Sequence, residues 1–420
     1  MSAATFDVAI IGAGPSGAST ALHLLATRPH TRIAIFDRAR LPREKPCGGA
    51  ISRWGLRTLD AIGATPAALG VDHVPASAVR VRHGQGVNEH VEPEPLGVVV
   101  ERAVFDAALA REAQKRGASL YEGHRLVELR DEGNHQRLAF DVRGERVEVT
   151  ARIVVGADGT GSATRRLAGF DEVGPRARLV VLETELAPGE DVDRGARGGV
   201  LEFDLTCVDR GIDGYVWHFA TTFGGKRKVS RGIFDWRGRR QGDASDLRAV
   251  LFEQLDARGV DYSHAKIKPY SERVFIDGDA RVATRSVLLV GEAAGLVDPV
   301  TGEGIAQAVV SGKLGSDELV LALDDGGRVD PARHRAALSR LRLHRHLVQS
   351  AALAPHVYGP RGSIWADALA RSSEAVSAGA DWYVGRPLGT MRKLAVGASF
   401  GFQLVRAALS GGLDARNGAG

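Results

Sequence analysis

The sequence has few cysteines, and their scarcity limits the kinds of site it can carry. Cys47 and Cys207 are the two among 420 residues. Two thiols cannot make a disulfide framework in a chain of this length, and no metal-ligand spacing surrounds either of them. We therefore expect no metal site and a reducing compartment.

Long apolar runs and an excess of one charge are lacking too. No run of about 18 uncharged apolar residues occurs, so we expect no transmembrane helix. The net charge of +4 is too small to predict a nucleic-acid partner. The first predicted strand begins at residue 6. We therefore expect no signal peptide and a cytoplasmic location.

A glycine-rich turn near the N terminus, Gly12-Ala-Gly-Pro-Ser-Gly17, is the most informative motif present. It follows a predicted strand at 6–11 and precedes a predicted helix at 18–28. In such a turn the first glycine allows the bend, Gly14 lets a pyrophosphate approach the backbone, and the last glycine lets helix and strand pack closely. The helix N terminus would offer free N–H groups to that phosphate.

Asp37 ends a second predicted strand at 32–36, 20 residues after Gly17. An acid in this place can accept both hydroxyl groups of an adenosine ribose. Strand, turn, helix, strand and acid in this order predict a dinucleotide site. A glycine-rich turn that binds nothing would leave the position of the acid unexplained.

Two later turns follow predicted buried strands in the same way. The strand at 152–155 runs into a turn with Asp158 and Gly159, and the strand at 285–290 runs into residues 291–305. Both turns would lie at the carboxyl edge of a parallel sheet, where ligands bind. The second turn precedes a predicted helix and predicts an anion cradle.

Three further residues carry weaker signals. Glu292 can accept a hydrogen bond from a ribityl hydroxyl. Cys47, followed by two glycines, suits close approach to a flat ring, although a plain loop with a buried thiol is the alternative that composition favours. Arg102 begins a predicted helix, from which it can clamp a phosphate, or it is an ordinary solvated arginine.

Residues 176–275 predict strands without intervening helices, and therefore a second, antiparallel domain. Within it Tyr215, Trp217 and Phe219 alternate and so share one face. They can line an apolar substrate cavity or fill a core. The pattern alone favours the core.

The last ninety residues are mostly helical by pattern, with predicted helices at 331–353 and 388–409. These helices either cap the second domain or dock on a membrane surface or a lipid-like substrate.

Taken together, the three glycine motifs resemble the FAD-binding signature of the p-hydroxybenzoate-hydroxylase-like flavoproteins. Lys-Pro-Cys-Gly-Gly-Ala-Ile at 45–51, with Gly-Glu-Ala-Ala-Gly and Gly-Glu-Gly-Ile, is similar to the geranylgeranyl reductase family. Gly-Tyr-Val-Trp-His-Phe resembles that family's YxWxFP motif, with Ala220 in place of the proline. The resemblance covers about residues 5–320.

The resemblance implies an α/β fold: a Rossmann-like FAD-binding domain of the GR2/p-hydroxybenzoate-hydroxylase type, an inserted antiparallel-sheet substrate domain and a helical C-terminal region. The expected division is 1–78, 101–175 and 276–328 for the FAD-binding domain, 79–100 and 176–275 for the substrate domain, and 329–420 for the C-terminal region.

The resemblance also implies a set of site residues. The substrate cavity would contain Tyr215, Trp217 and Phe219, and Cys47 would be a candidate catalytic residue. The expected cofactor-binding residues are Gly12, Gly14, Ser16, Gly17, Asp37, Arg38, Cys47, Gly48, Arg102, Asp158, Gly159, Gly291, Glu292, Gly302, Gly304 and Ile305.

The implied activity is FAD-dependent reduction of isolated C=C bonds in a polyprenyl or similar apolar chain. Related hydroxylases usually carry Asp at position 292, so Glu292 points away from hydroxylation. An aromatic monooxygenase and an electron carrier without turnover are the alternatives. The electrons would come from NAD(P)H, ferredoxin or a quinol, and the proton from Cys47 or water. The oligomeric state stays open.

Overall fold

The computed structural model describes residues 4–172, 176–236, 246–276, 278–359, 361–386 and 390–417. Sixteen strands lie in these residues. They are β1 (Ala4–Ile11), β2 (Ile33–Asp37), β3 (Ala50–Ser52), β4 (His73–His83), β5 (Gly86–Val91), β6 (Gly97–Val100), β7 (Ser119–Glu122), β8 (Arg125–Asp131), β9 (Gln136–Val142), β10 (Glu145–Gly156), β11 (Ala177–Thr184), β12 (Gly199–Asp204), β13 (Gly214–Phe223), β14 (Lys226–Asp235), β15 (Lys268–Glu272) and β16 (Val287–Leu289).

The same residues form eleven α-helices and three short 3-10 helices, Gly195–Arg197, Thr206–Arg210 and Gly291–Ala294. The α-helices are α1 (Pro15–Thr27), α2 (Arg53–Asp60), α3 (Arg102–Lys115), α4 (Ala163–Leu167), α5 (Leu247–Ala257), α6 (Ile305–Asp324), α7 (Pro331–Arg340), α8 (Arg342–Val357), α9 (Gly362–Arg371), α10 (Ser373–Tyr383) and α11 (Thr390–Asn417).

The first sheet has the order β7-β2-β1-β10-β9-β8, with β16 paired to β10. Its central strands are parallel, and β8 and β9 extend it in antiparallel fashion. Apolar side chains of β1 point to both faces, because the strand is covered on both. Val8 and Ile10 pack in the core with α1, α3 and α6, whereas Ala9 and Ile11 belong to the core beside α7 and α8.

This arrangement fixes where ligands can bind. The carboxyl ends of the parallel strands β1, β2, β10 and β16 meet at one edge of the sheet. The predicted glycine turns leave from this edge, as an open α/β sheet requires of its binding site.

The second sheet has the order β15-β11-β14-β13-β12-β4-β6-β3, with β5 paired to β4. Its pairs are antiparallel except for β12 with β4, which is parallel. One face carries Tyr215 and Trp217 toward a core shared with α8 to α10. The opposite face carries Val216 and Ile233 toward α5.

Helix α5 corrects the expectation that 176–275 contains no helix. Asp246 caps the helix, since its side chain accepts hydrogen bonds from Arg248 N and Ala249 N. Leu247, Val250, Leu251 and Leu255 are buried at helical spacing and cover one face of the sheet. The helical spacing of these apolar residues is present in the sequence, but it extends over only 11 residues between predicted strands.

Other elements differ from the sequence prediction in extent. β5 was not predicted, and β10 begins at Glu145 rather than at residue 152. The helix expected at 331–353 is divided into α7 and α8 at Leu341, whose backbone is extended with ψ 138°. α9 and α10 pack beside β4 and β5. α11 begins at Thr390, and the start of the helix predicted at 388–409 lies outside the described residues.

The expected fold class is confirmed: an α/β domain, a largely antiparallel sheet domain and a helical C-terminal region. β3 and the first residues of β4, which fall in the range 1–78, pair within the second sheet. The division by residue ranges stays a prediction.

Candidate functional site

A cleft of about 310 Å³ runs along the carboxyl edge of the first sheet. This single cavity is lined by residues that were expected at both ends of the cofactor. They are Gly12, Gly14, Ser16, Asp37, Arg38, Cys47, Arg102, Asp158, Gly159, Glu292, Gly302, Gly304 and Ile305.

Three expected residues do not line this cleft. Gly48 lines two adjoining cavities. Gly17 faces the turn, because a Cβ there would lie 2.0 Å from the Gly12 oxygen. Gly291 packs on α1, where a Cβ would lie 2.9 Å from the Ser16 side chain. The last two therefore shape the site through packing.

The turn at Gly12 has the geometry that a phosphate cradle needs. Gly12 has φ +110°, and a Cβ would lie 2.3 Å from the Ala157 carbonyl oxygen, so no other residue fits. Gly14 is the N-cap of α1 and gives it no side-chain cap. The N–H groups of the first helical turn and the helix dipole therefore face the cleft, and a pyrophosphate fits there.

Asp37 is buried at the end of β2, and backbone groups hold its carboxylate in place. Oδ2 accepts from Ala13 N at 2.9 Å, and Oδ1 accepts from Ala39 N at 2.9 Å. These contacts tie the carboxylate to the glycine turn. The acid thus lies beside the turn, as its spacing predicted.

Arg43 is a neighbour that the sequence analysis missed. Its Nε lies 3.4 Å from Asp37 Oδ2, and its Nη1 lies 3.5 Å from Asp106 Oδ2. Its Nη2 would be 3.3 Å from a Cβ at Gly14, so the guanidinium covers the place that suits a pyrophosphate. No sequence pattern marks this arginine, because its position depends on the loop's tertiary path.

Arg102 is buried rather than solvated. It donates from Nε and Nη2 to the two oxygens of Asp106, each at 2.9 Å. Burial disfavours its charged form, but Asp106 and Cys47 outweigh that effect and raise the pKa of Arg102. The site therefore keeps a fixed positive charge beside the thiol.

Glu292 lies at the cleft and is held by groups from two other segments. Lys45 Nζ lies 3.3 Å from Oε2, and the Thr160 hydroxyl donates to Oε1. Lys45 also lies 3.5 Å above the ring of Tyr270. Burial disfavours the charged form of Lys45, yet Glu292 and Tyr270 raise its pKa.

Asp158 uses its carboxylate locally. Oδ1 accepts from Ser162 Oγ at 2.5 Å, and Oδ2 accepts from Thr164 N at 3.0 Å. Burial raises the pKa of Asp158 in spite of these hydrogen bonds. Asp158 therefore positions the start of α4 while its backbone lines the cleft.

A second cavity of about 50 Å³ adjoins the cleft on the side of the second sheet. Tyr215, Trp217 and Phe219 line this cavity and also pack in the core. The face therefore serves in part as a cavity wall and in part as core, the two alternatives that the sequence left open. A Cβ at Gly48 would lie 3.1 Å from the Phe219 ring. Cys47 lines the cleft, this cavity and a third one of about 140 Å³.

A larger apolar cavity of about 340 Å³ borders the same aromatic residues. Phe203, Tyr215 and Thr301 line both. Helices α8 to α11 contribute much of the remaining wall, including Val396 and Phe400. The helices at the C terminus thus enclose apolar space that begins beside the glycines at 302 and 304.

Two acids where the cleft and the aromatic cavity meet were not predicted, the buried Glu272 and the half-buried Glu303. Glu272 lines both the cleft and the aromatic cavity, and Glu303 lines the aromatic cavity. Glu303 Oε1 accepts from Ser52 N at 2.9 Å. Burial raises the pKa of Glu303 to about 7. The sequence offers no signal for Glu272, which ends a strand with no motif.

A third acidic group lies elsewhere, in the second sheet. Glu202, Asp204 and His218 offer ligand atoms within 4.8 Å of one another, the spacing of a metal site. However, Arg80 Nη1 lies 3.0 Å from Glu202 and Arg258 Nη2 lies 3.0 Å from Asp204. The carboxylates therefore belong to a buried ion-pair network.

In the described part of the chain, no helix has the length and apolar character needed to cross a membrane.

The chain is similar to curated reductases, as the motifs led us to expect. Digeranylgeranylglycerophospholipid reductase of Methanothrix thermoacetophila is 28% identical over 337 residues, which cover 76% of this chain and 79% of the relative. Geranylgeranyl diphosphate reductase of Rhodobacter capsulatus is 28% identical over 340 residues, which cover 80% of each chain.

Solved structures share the fold. A geranylgeranyl bacteriochlorophyll reductase-like protein from Thermoplasma acidophilum has a TM-score of 0.69 and 20% identity, covering 96% of this chain and 98% of its own. A p-nitrophenol 4-monooxygenase from Pseudomonas putida has a TM-score of 0.68 and 16% identity, covering 92% and 100%. The likeness in fold therefore does not separate reductases from monooxygenases.

The family model described as "FAD binding domain" matches residues 5–313, which include the whole cleft. The glycine turn, the acid that ends β2 and the cleft that joins them to the glycines at 302 and 304 fit this match. The chain belongs to the FAD binding domain family, and its cofactor is FAD.

Proposed function

We propose that the protein is an FAD-dependent oxidoreductase that reduces isolated C=C bonds of a polyprenyl or similar apolar chain. The observation that carries this proposal is the apolar cavity of about 340 Å³, which shares Phe203, Tyr215 and Thr301 with the aromatic cavity beside the cofactor cleft. A prenyl chain needs such an apolar channel, and the relatives named as reductases of geranylgeranyl compounds support the same substrate class.

The proposed cofactor contacts are those expected from the sequence, with Arg43 added from the structure. Gly12, Gly14 and Arg43 would hold the pyrophosphate, and Asp37 the adenosine ribose. Gly302, Gly304 and Ile305, together with Cys47, Gly48 and Arg102, would hold the flavin ring. Their shared place around one cleft supports these assignments.

FAD supplies a hydride to the substrate when it is bound and reduced. The chain's own residues orient the alkene and exclude water, which the buried aromatic side chains favour. An isolated alkene develops no oxyanion, so a Ser/His/Asp arrangement is not required. A proton must still reach the second carbon from an acid of the protein or from water.

The test uses the holoenzyme, reduced anaerobically with dithionite and incubated with geranylgeranyl lipids and prenyl quinones. Mass spectrometry should find products that have gained two hydrogens per reduced bond. Protein from which the flavin has been removed is the control. Absence of any such gain with reoxidisable, flavin-loaded protein would reject the proposal.

Cys47 is a proposed catalytic residue, because it lies where the cleft, the aromatic cavity and the third cavity meet. We predict that Cys47→Ala keeps FAD bound, as shown by absorbance, but lowers turnover about tenfold or more. Cys207→Ala is the matched control, since Cys207 is fully buried away from the cleft and should leave turnover unchanged. Full activity of Cys47→Ala would exclude the thiol from the reaction.

Aromatic hydroxylation is the second candidate, because a monooxygenase shares the fold. Oxygen uptake coupled to NAD(P)H oxidation in the presence of a phenol would favour it. Stoichiometric reduction of a prenyl chain without oxygen would exclude it. An electron carrier would bind FAD and turn over neither substrate, and it would leave the apolar cavity without a use.

The reductant is also a matter of proposal. A separate nicotinamide domain is not recognisable in the sequence, so NAD(P)H would dock transiently, or ferredoxin or a quinol would donate. Anaerobic flavin bleaching with each donor in turn distinguishes them. The donor that bleaches the flavin at the turnover rate is the physiological class.

A contact with a membrane surface is proposed as well. Helix α11 exposes Met391, Leu394, Phe402 and Val405, each more than 60% accessible, and their spacing puts them on one face. Val396 and Phe400 face the apolar cavity instead. A helix with a second, exposed apolar face next to a lipid-sized cavity suits a protein that takes its substrate from a bilayer.

A further inference from the structure

Glu272 ends β15 on the face of the second sheet that carries the aromatic residues. It pairs with Ala177 across the strands and shares its face with Tyr270. It lines both the cofactor cleft and the aromatic cavity. Of the described acidic residues that line these two cavities, it alone borders both.

The carboxyl group of Glu272 is buried and under-satisfied. Its Oε2 is inaccessible and has no hydrogen-bond partner among the described residues. A buried, unpaired carboxylate is costly, whereas the neutral acid avoids most of that cost. Burial of the unpartnered Oε2 therefore favours the neutral acid over the carboxylate.

The surrounding charges agree with a neutral acid. Burial first, and then the nearby carboxylate of Glu292, raise the pKa of Glu272 to about 8, while Lys45 and Arg102 act in the opposite sense. The phenols of Tyr270 and Tyr215 complete the set of titratable groups that interact with it. An acid with a pKa close to the working pH is what general acid catalysis requires.

The other acidic groups near the site are engaged. Glu292 binds Lys45 and Thr160, Glu303 accepts from Ser52 N, and Asp158 accepts from Ser162 and Thr164. The Cys47 sulfur accepts from Gly49 N at 3.4 Å. None of these groups combines a buried, unpartnered atom with access to both cavities.

We propose that Glu272 is the proton donor in the reduction of the alkene, an inference that rests on the proposed function. One carbon of the C=C bond receives the hydride, which carries both electrons from reduced FAD. The other carbon takes the proton of the Glu272 carboxyl group. The π bond is replaced by two C–H bonds, and the carboxylate left behind lies near Lys45 and Arg102 and regains its proton from solvent after product release.

The first test follows flavin reoxidation by a prenyl substrate in single turnovers without oxygen, from pH 6 to pH 9.5. In the wild type the rate should fall as pH rises through the raised pKa of Glu272, because only the protonated form donates. Glu272→Gln should still bind FAD. It should react at least about a hundredfold more slowly than the wild type, and its rate should not fall as pH rises. Glu272→Asp should recover part of the rate and restore the pH dependence.

Glu303→Gln and Cys47→Ala serve as matched variants, since each removes a rival proton donor at the same junction. The fall in rate at high pH should persist in both. If Glu272→Gln keeps both the wild-type rate and the wild-type pH dependence, or if the fall is lost in a rival variant instead, the inference is wrong. Failure of the flavin-loaded wild type to reduce any prenyl substrate would reject the proposed function, and this role with it.

A second readout needs no turnover. Infrared difference spectra of the oxidised holoenzyme, taken between pH 6 and pH 9.5, should contain the carbonyl band of a protonated carboxylic acid that disappears at high pH. That component should be missing in Glu272→Gln and present in Glu292→Gln. A spectrum of Glu272→Gln identical to that of the wild type would show that Glu272 is already ionised, and would overturn the inference.

Discussion

Gly12 is the residue where the backbone of the cleft has the least freedom. We predict that Gly12→Ala lowers the free energy of unfolding by about 2–4 kcal/mol, because it adds a positive-φ penalty to a collision with the Ala157 carbonyl. The same collision displaces the turn that would hold the pyrophosphate, so FAD affinity should fall too. Urea unfolding and flavin titration measure the two effects.

Gly161→Ala is the matched control for this change. Gly161 lies in another turn of the same site, but a Cβ there would meet no atom within 4 Å. Its free energy of unfolding should stay within about 0.5 kcal/mol of the wild type. Equal losses in both variants would show that turn flexibility in general, rather than the close contact at Gly12, sets stability.

The raised pKa of Glu303 predicts how the free energy of unfolding depends on pH. Its pKa is raised from 4.5 to about 7 by burial, so between these values the native state keeps a proton that the unfolded state has lost. Stability must therefore fall as pH rises through this window and become level above it. At about 1.4 kcal/mol for each pH unit, the loss from this group is roughly 3 kcal/mol.

Glu303→Gln should remove this loss, because an amide does not ionise and can still accept from Ser52 N. Chemical unfolding of both proteins at pH 5 and pH 8 measures the difference. The variant should lose roughly 3 kcal/mol less than the wild type between these two values. Parallel losses in the two proteins would contradict a neutral Glu303.

Some residues of the site could be predicted because local chemistry specifies them. Gly12 and Asp37 have fixed places in a strand–turn–helix–strand unit, so their spacing was enough. Arg43 and Glu272 could not be predicted in the same way. They reach the site only because a loop and a strand from different parts of the chain fold onto it, and neither position has a local pattern.

The same distinction holds for whole elements. Buried strands such as β1 and β13 were predicted from continuous or alternating apolar residues. The parallel pairing of β12 with β4 joins residues more than a hundred positions apart, and no period within either strand specifies it. α9 and α10 lie in the part of the chain that was expected to be mostly helical, but their bounds were not predicted.

Helix α11 carries the prediction at the level of an element. The double change Leu394→Glu and Phe402→Glu should abolish sedimentation with vesicles of phosphatidylcholine and phosphatidylglycerol, because it puts two charges on the exposed apolar face. Stability should change little, since both side chains are more than 60% accessible.

Val104→Glu with Val348→Glu is the control for this experiment. It adds the same two charges at exposed apolar positions outside α11, 44% and 45% accessible, and should leave vesicle binding unchanged. Sedimentation velocity without lipid completes the test. If the wild type is a dimer that the α11 changes dissociate, the exposed face binds a second copy of the chain and the proposed membrane contact is wrong.

At the scale of the molecule, the cleft is assembled from segments that are distant in the sequence. Residues 12–16, 37–47, 157–159 and 302–305 meet there, and the structure brings them together through the parallel order β2-β1-β10-β16. The fold class was expected from the resemblance of the glycine motifs to those of known flavoproteins. The division of the space into separate cavities could not be predicted, because it depends on where the C-terminal helices pack.

A ligand that spans such a cleft should stabilise the whole molecule more than its separate halves do. At one hundred times its dissociation constant, FAD should raise the free energy of unfolding of the flavin-free protein by about 2.7 kcal/mol. ADP would reach only the Asp37 end and FMN only the end at Gly302, so each alone should bind more weakly and stabilise less at the same concentration. Thermal unfolding with each ligand measures this. Equal stabilisation by FAD and by ADP would mean that the flavin end of the cleft contributes nothing to binding, because linked contacts at both ends must otherwise give the larger effect.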